Sequence, residues 1–276
     1  MTLYISDMDG TLLTPAGTVS QTTTVILNRL MAQGLRFTVA TARTPLSALP
    51  LLQGLPIRDP MILLNGAVCY DPGSKEFSHT VPMDAAALEL LSKAEAAAGI
   101  GGMLFTMEDG RFTANLGRVE GCLWDGYFPM DAVAYVDAID PNIRRRAARE
   151  LLDTQVIYGL YMDNTPERLD VLNACLENCS LTVDYYRDIY SESRWCLEVC
   201  SRDAHKGRAV SRLRQEGFSR LVAFGDSRND SPLFEACDFC CAVENAAPEL
   251  KQKANLVIGS NAGDGVAQYL ERMHGR

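Results

Sequence analysis

The stretch YISDMDGTLL, residues 4–13, runs from a short apolar segment straight into two carboxylates, Asp7 and Asp9, with Gly10 and Thr11 directly behind. Two acids this close repel each other, and an Asp-x-Asp-Gly run has two readings. One is an ordinary polar turn after a strand. The other is a pair of acids gathered at a strand end to do chemistry. The order of elements along the rest of the chain separates the two.

"LYIS" is a short buried strand. A helix is expected over "SQTTTVILNRLMAQG", with Ser20 as N-cap and Gly34 as its stop. "LRFTVAT" is a second strand, a helix follows around "PLSALPLLQ", and "PMILLNGA" is a third strand. Strand and helix alternating in this way predict an α/β fold, a parallel sheet with right-handed crossovers. "AVCYDPGSKEFSHTV" then reads as a hairpin about "DPGS".

From about Met83 the rhythm changes. A helix over "MDAAALELLSKAEAAAG" precedes strands "GMLFTM" and "RFTANL" around the turn "EDGR". A basic helix is expected over "PNIRRRAARELL", its Arg144, Arg145 and Arg146 forming a solvated face. Strand "QVIYGLYM", helix "TPERLDVLNACLENC" and strands "LTVDYYR" and "RWCLEVC" complete an α+β unit. After about Ser201 the α/β rhythm returns, with "KGRAVSRLRQEG", "LVAFGDS", "DSPLFEAC", "FCCAV", "PELKQKA", "LVIG" and a last helix from about Gly265. The sheet is thus completed from both ends of the chain. The expected division is a core of residues 1–82 and 201–276 and an inserted α+β domain over 83–200.

Length and composition agree with this. The 276 residues suffice for one large domain or two modest ones, and 47% hydrophobic with 22% charged residues is ordinary for a globular chain. A net charge of −9 argues against a nucleic-acid surface. It leaves room for an anionic small substrate, because a metal ion and one or two basic side chains reverse the sign locally. No apolar run reaches the roughly 18 residues of a membrane span, and the first segment lacks the basic region of a signal peptide. The expected location is therefore the cytoplasm. The nine cysteines read as reduced, buried thiols; their positions in "WCLEVC" and "CDFCCAV" suit buried strand or helix faces better than zinc-binding turns.

"AFGDSRNDS", residues 223–231, repeats the opening pattern: an apolar run ends at Gly225, and Asp226, Asn229 and Asp230 follow. Ligands of open α/β sheets bind beyond the carboxyl ends of the strands. If the strands ending at Ser6 and Phe224 are parallel neighbours, Asp7, Asp9, Asp226 and Asp230 converge. Uncompensated, four acids there are prohibitive, and a hard divalent cation with an oxygen shell, Mg²⁺ before Zn²⁺, supplies the missing charge. Thr41, with the amide of Ala42, follows the second strand, where a hydroxyl and an NH can hold a phosphoryl oxygen. Lys206 opens a helix, so its ammonium and the helix N-terminus both suit an anion.

With these residues in place the chain resembles the haloacid dehalogenase superfamily, and within it the Cof-like sugar-phosphate phosphatases with a C2B-type α+β cap. "DMDGTLL", "TAR", Lys206 and "GDSRND" are similar to that family's four motifs, and "LLNGA" and "ENAAPELKQKANLV" to further features. Ala42 departs from the family's usual Gly, yet is small enough for backbone contact with phosphate. The resemblance implies a Mg²⁺-dependent phosphatase acting on a small phosphorylated metabolite, sugar-phosphate-like, through an aspartyl-phosphate. Asp7 would be the nucleophile and Asp9 the general acid and base. Asp7, Asp226 and Asp9, through its carbonyl, would hold the metal, with Asp230 behind them. The backbone after Met8 and at Ala42, with Thr41, Asn229 and Lys206, would bind the phosphoryl oxygens.

Several points stay open. Arg43 either steers an anionic substrate or pairs with a core acid, and Asn65 either faces the site mouth or forms a turn. The histidines at 79, 205 and 274 have no partner spacing and are given no chemistry. A phosphomutase or nucleotide-cofactor phosphatase would share the same core, and a non-catalytic sensor of a phosphorylated ligand would share the fold, though a sensor has no need of both Asp7 and Asp9. Neither the choice of substrate nor the oligomeric state is legible.

Overall fold

The central strand is the one that carries the opening stretch. The computed structural model describes residues 1–117, 133, 136–177, 179–188 and 193–275. Their contacts divide the chain into two units, Met1–His79 with Ala204–Arg276, and Thr80–Asp203.

In the first unit β1 (Thr2–Ser6) lies between β2 (Arg36–Val39) and β12 (Arg220–Gly225), parallel to both. With β13 (Phe239–Val243) and β14 (Leu256–Ile258) they form a five-stranded sheet in the order β14-β13-β12-β1-β2. Leu3, Ile5, Phe37, Val39, Leu221, Ala223 and Phe224 are buried along these strands. Burial on both faces is the signature of a parallel sheet covered by crossover helices, here α1 (Gln21–Ala32), α2 (Pro45–Leu52), α5 (Lys206–Leu213), α6 (Ser231–Ala236), α7 (Pro248–Lys253) and α8 (Gly265–His274). Ser20 caps α1 by accepting from the Thr23 N–H at 2.9 Å, and its hydroxyl donates to Asp264 at the start of α8. The third strand, β3 (Met61–Leu63), meets the end of β2 only through one parallel bridge, Ala40 to Ile62; its main partner is β4 (Val68–Asp71), which continues into the hairpin with β5 (Glu76–Ser78).

The second unit is a six-stranded sheet in the order β10-β11-β9-β6-β7-β8. Its strands are β6 (Met103–Glu108), β7 (Arg111–Leu116), β8 (Arg144–Arg145), β9 (Gln155–Asp163), β10 (Leu181–Arg187) and β11 (Trp195–Ser201). Helices α3 (Ala85–Ala98) and α4 (Glu167–Cys175) contribute Leu88, Leu91, Leu169 and Leu172 to a core shared with Tyr161, Leu197 and Val199. Glu95 is buried in this core. Its carboxylate accepts from the Tyr161 hydroxyl at 2.9 Å and the Ala148 N–H at 3.2 Å.

One expected element does not form. The arginine-rich segment is not a helix: Arg144–Arg145 is a short strand parallel to the end of β7, and Ala148–Glu150 a single 3-10 turn. The reason is electrostatic. Arg144 donates to Glu108 at 2.7 Å and to Asp140 at 2.8 Å, while Arg146 bonds Glu108 and donates to Asn115 at 2.7 Å. Alternate residues of an extended chain share one face, which brings both guanidiniums onto one acid. Among the described residues no helix is long and apolar enough to cross a membrane.

Burial raises the Glu95 carboxyl above its ordinary value, with Tyr161 and the Ala148 amide pulling partly back. The folded state therefore holds its proton more tightly than the unfolded chain does. That contribution is fully present below the ordinary carboxylate pKa and is lost as pH rises through the raised value. Glu95→Ala should destabilise the second unit by about 1–3 kcal/mol by orphaning two donors. The deficit should be largest in acid and shrink toward neutral pH; urea unfolding across that range would show a flat difference if this is wrong.

Candidate active site

The site grows from the ends of β1 and β12. The Asp7 N–H donates to the Phe224 carbonyl at 3.0 Å, the last rung between the two strands. Beyond it, Met8–Leu12 forms one wide turn closed by the Leu13 N–H on the Met8 carbonyl at 2.8 Å. Within this turn Asp9 is extended and Gly10 is left-handed at φ +73°. A Cβ at Gly10 would lie 2.4 Å from Asp226 Oδ2, so only glycine lets the turn pass this carboxylate. Thr11 Oγ1 donates to Asp226 Oδ1 at 3.1 Å, and Asn245 Nδ2 donates to the Gly10 carbonyl at 2.7 Å.

Lys206, the first residue of α5, is buried, and its ammonium donates to Asp7 Oδ1 at 2.5 Å and to Asp230 Oδ1 at 2.7 Å. Asp230 uses its other oxygen to accept the N–H groups of Asp226 and Ser227 at 3.0 and 3.1 Å. Both its oxygens are thus spent on holding neighbours. Burial by itself would lower the Lys206 pKa, but Asp230 and Asp7 reverse this and hold the ammonium protonated, above the ordinary lysine value. Burial pushes the Asp7 carboxyl up; Lys206 opposes this, and the charges of Asp230 and Asp226 add to it. Asp226 is pushed up to about 6 by burial and by Asp230.

The carboxylates of Asp7, Asp226 and Asp230 each offer an oxygen within 4.8 Å of the others, the one such group of His, Cys, Asp and Glu ligands among the described residues. The Asp9 carboxylate is not in it. Arg43 holds that group by a two-pronged pair, Nε to Oδ2 at 2.7 Å and Nη2 to Oδ1 at 2.8 Å. Of the two readings of Arg43, the structure shows the pairing one. Four acids, Asp7, Asp9, Asp226 and Asp230, are met by two cations, Arg43 and Lys206. With all four ionised, two negative charges are left over, the amount that one divalent cation neutralises. An all-oxygen donor set fits a hard ion of that charge.

The end of β2 stays in register with β1, since the Ala40 N–H donates to the Ser6 carbonyl at 2.9 Å. Thr41 follows at once; it is buried, and its Oγ1 accepts from the Arg43 N–H at 3.1 Å. Ala42 is half-buried beside it, and the Met8 side chain is buried in the core, its carbonyl accepting from the Leu13 N–H. Asn229 is exposed, and its Oδ1 accepts from the Ser227 hydroxyl at 2.6 Å. Asn65 is buried at 8% exposure. His205 caps α5 through Nδ1, accepting from the Arg208 N–H at 3.2 Å. His274 bonds the Tyr4 hydroxyl at 2.6 Å. The cysteines of β11 and β13 are buried, their thiols at Cys200 and Cys241 pushed up to about 12 by burial. Thr11 and Asn245, which brace the Gly10 turn, lie in stretches that carry the family resemblance, but no local signal marks these two contacts.

Removing the Lys206 charge leaves two buried carboxylates facing each other. Lys206→Met should therefore cost about 3–5 kcal/mol of stability, the penalty of breaking a buried ion pair from one side. Chemical denaturation would detect it; a variant as stable as the wild type would mean the acids find another partner.

The family model described as haloacid dehalogenase-like hydrolase matches residues 4–270. The chain is 26% identical over 275 residues to pyridoxal phosphate phosphatase YbhA of Escherichia coli, covering 96% of this chain and 95% of that protein. It is 24% identical over 292 residues to 5-amino-6-(5-phospho-D-ribitylamino)uracil phosphatase YwtE of Bacillus subtilis, covering 97% and 96%. A haloacid dehalogenase-like hydrolase from Bacteroides thetaiotaomicron superposes with a TM-score of 0.73 at 20% identity, over 99% of both chains. With its acids at the ends of neighbouring parallel strands and its family match running almost from end to end, the chain belongs to the haloacid dehalogenase-like hydrolases, as a phosphoric monoester hydrolase of the Cof-like branch.

Proposed function

We propose that this chain hydrolyses a small phosphorylated metabolite, sugar-phosphate-like, with Asp7 as the nucleophile. The observation that carries the reading is the environment of Asp7. It is buried, fixed on one oxygen by Lys206, and set beside Asp226 at the end of a neighbouring parallel strand. An in-line attack by its carboxylate on phosphorus gives an aspartyl-phosphate, and water then attacks that phosphorus to release phosphate and restore Asp7. Asp9, two residues on, would protonate the leaving oxygen in the first step and take the proton of the attacking water in the second. Arg43 orients the Asp9 carboxylate for both roles through its two-pronged contact.

Thr41, the amides after Met8 and at Ala42, Asn229 and Lys206 would bind the phosphoryl oxygens as charge moves over them. Asn229 would donate from Nδ2 while its Oδ1 accepts from the Ser227 hydroxyl. Asp7, Asp226 and the Asp9 carbonyl would hold Mg²⁺, with Asp230 fixing the Asp226 loop from behind. When bound, the cation supplies charge neutralisation that lets one carboxylate approach an anionic ester. Relatives that act on pyridoxal phosphate and on a phosphoribityl-aminouracil support a small phosphorylated metabolite as the substrate class. The second unit, with its own sheet and core, is proposed as the cap that selects among such metabolites.

Release of p-nitrophenol from p-nitrophenyl phosphate, with and without Mg²⁺, tests the reading. Activity should require the ion. Asp7→Asn should lower turnover by more than about a thousandfold, roughly 4 kcal/mol of barrier, with the fold intact. Substantial residual turnover would refute the covalent step. Asp226→Ala should sharply raise the Mg²⁺ concentration needed for half-activity, and an unchanged requirement would remove Asp226 from the ligand set.

A further inference from the structure

Directly after β3 the backbone makes a left-handed turn, with φ at +52° for Leu64, +54° for Asn65 and +99° for Gly66. Glycine adopts this freely, but leucine and asparagine do so at a cost. The surroundings explain why the turn persists. The Leu64 N–H donates to the Arg43 carbonyl at 3.1 Å and the Asn65 N–H to the Thr41 carbonyl at 2.9 Å. On its other side, a Cβ at Gly66 would lie 2.6 Å from the His205 carbonyl oxygen and 3.2 Å from the Lys206 nitrogen. The turn is wedged between the Thr41–Arg43 loop and the first residues of α5.

Backbone geometry accounts for the conformation at residue 65 but not for its side chain. Asn65 is 8% exposed, and its Oδ1 is buried without a hydrogen-bond partner. Glycine at this position would fit the same turn with less strain and leave no orphaned acceptor. Strain and an unsatisfied polar atom at one residue, in contact with two loops of a catalytic site, point to a bound group that completes the set.

We propose that Asn65 contacts the substrate, its amide oxygen accepting a hydrogen bond from a hydroxyl of the leaving group close to the ester oxygen. This rests on the phosphatase reading above. The place follows from the neighbours. Residue 65 is one hydrogen bond from Thr41, assigned to a phosphoryl oxygen. Leu64 bonds Arg43, whose guanidinium holds Asp9, assigned to the leaving oxygen. The donor follows from the charge. A neutral amide oxygen suits a neutral hydroxyl, whereas an ammonium would be drawn to the neighbouring carboxylates. The substrate class is therefore a polyol or sugar phosphate, in preference to a plain alkyl or aryl ester.

Asn65→Gly tests this, because it keeps the left-handed backbone and removes only the amide. With Mg²⁺ present, kcat/KM is measured on p-nitrophenyl phosphate and on ribose 5-phosphate, glucose 6-phosphate and glycerol 3-phosphate, with Tm recorded alongside. The variant should hold p-nitrophenyl phosphate within about twofold, lose about tenfold or more on the best hydroxylated ester, and melt no lower than the wild type. An equal loss on every ester would make the residue structural, and no loss on any would remove it from the site. A wild type that cleaves p-nitrophenyl phosphate but none of the three hydroxylated esters also overturns the proposal. A wild type that cleaves no ester at all overturns the phosphatase reading itself.

Discussion

The Lys206 ammonium lies between Asp7 and Asp230, and the other charged groups of the centre are arranged around it. A buried carboxylate without a partner would take up a proton and cease to be a nucleophile or a ligand. Lys206 opposes the upward push of burial on the Asp7 carboxyl, and by binding Asp230 as well it ties the end of β1 to the loop after β12. Asp230 passes the restraint on, gripping the amides of Asp226 and Ser227. One cation on the first turn of α5 thus fixes the positions of three acids that would otherwise drive each other apart.

Asp9 lives under a different rule. Its partner Arg43 is reached from the loop after β2, and both side chains are partly exposed. A group proposed to exchange protons with substrate and water is left partly open to solvent, as Asp7 is not. A planar guanidinium gives it direction without sealing it from solvent. The two acids of the opening stretch therefore have separate cations, one buried and one at the surface.

Much of this was readable along the chain. The apolar runs ending at Ser6 and Phe224, each followed at once by acids, marked two strand ends, and their pairing register brings those acids together. Ser20 and Lys206 were legible because a helix start has a local chemistry. The segment around Arg144 departs from the expected helix because its conformation is decided by Glu108 and Asp140, and helical propensity is a weak prior against such pairs. The roles of Arg43 and Asn65 are not legible along the chain for a related reason. Their partners come from other loops, and spacing along one segment carries no information about a contact made across the sheet. The bracing contacts of Thr11 with Asp226 and of Asn245 with Gly10 are invisible on the same ground.

The place of β1 between β2 and β12 has a consequence for how the molecule is made. Thr11 and Asp226, which touch in the finished centre, are 215 residues apart in the chain. At ribosomal speeds of about 5–20 residues per second, β1 waits on the order of 10–40 s for its second neighbour to emerge. During that interval the strand has one open edge and its acids have no lysine. The half-made sheet is in those seconds a sticky, anionic intermediate, so the time of greatest exposure to misassembly falls during translation, before the enzyme has met any substrate.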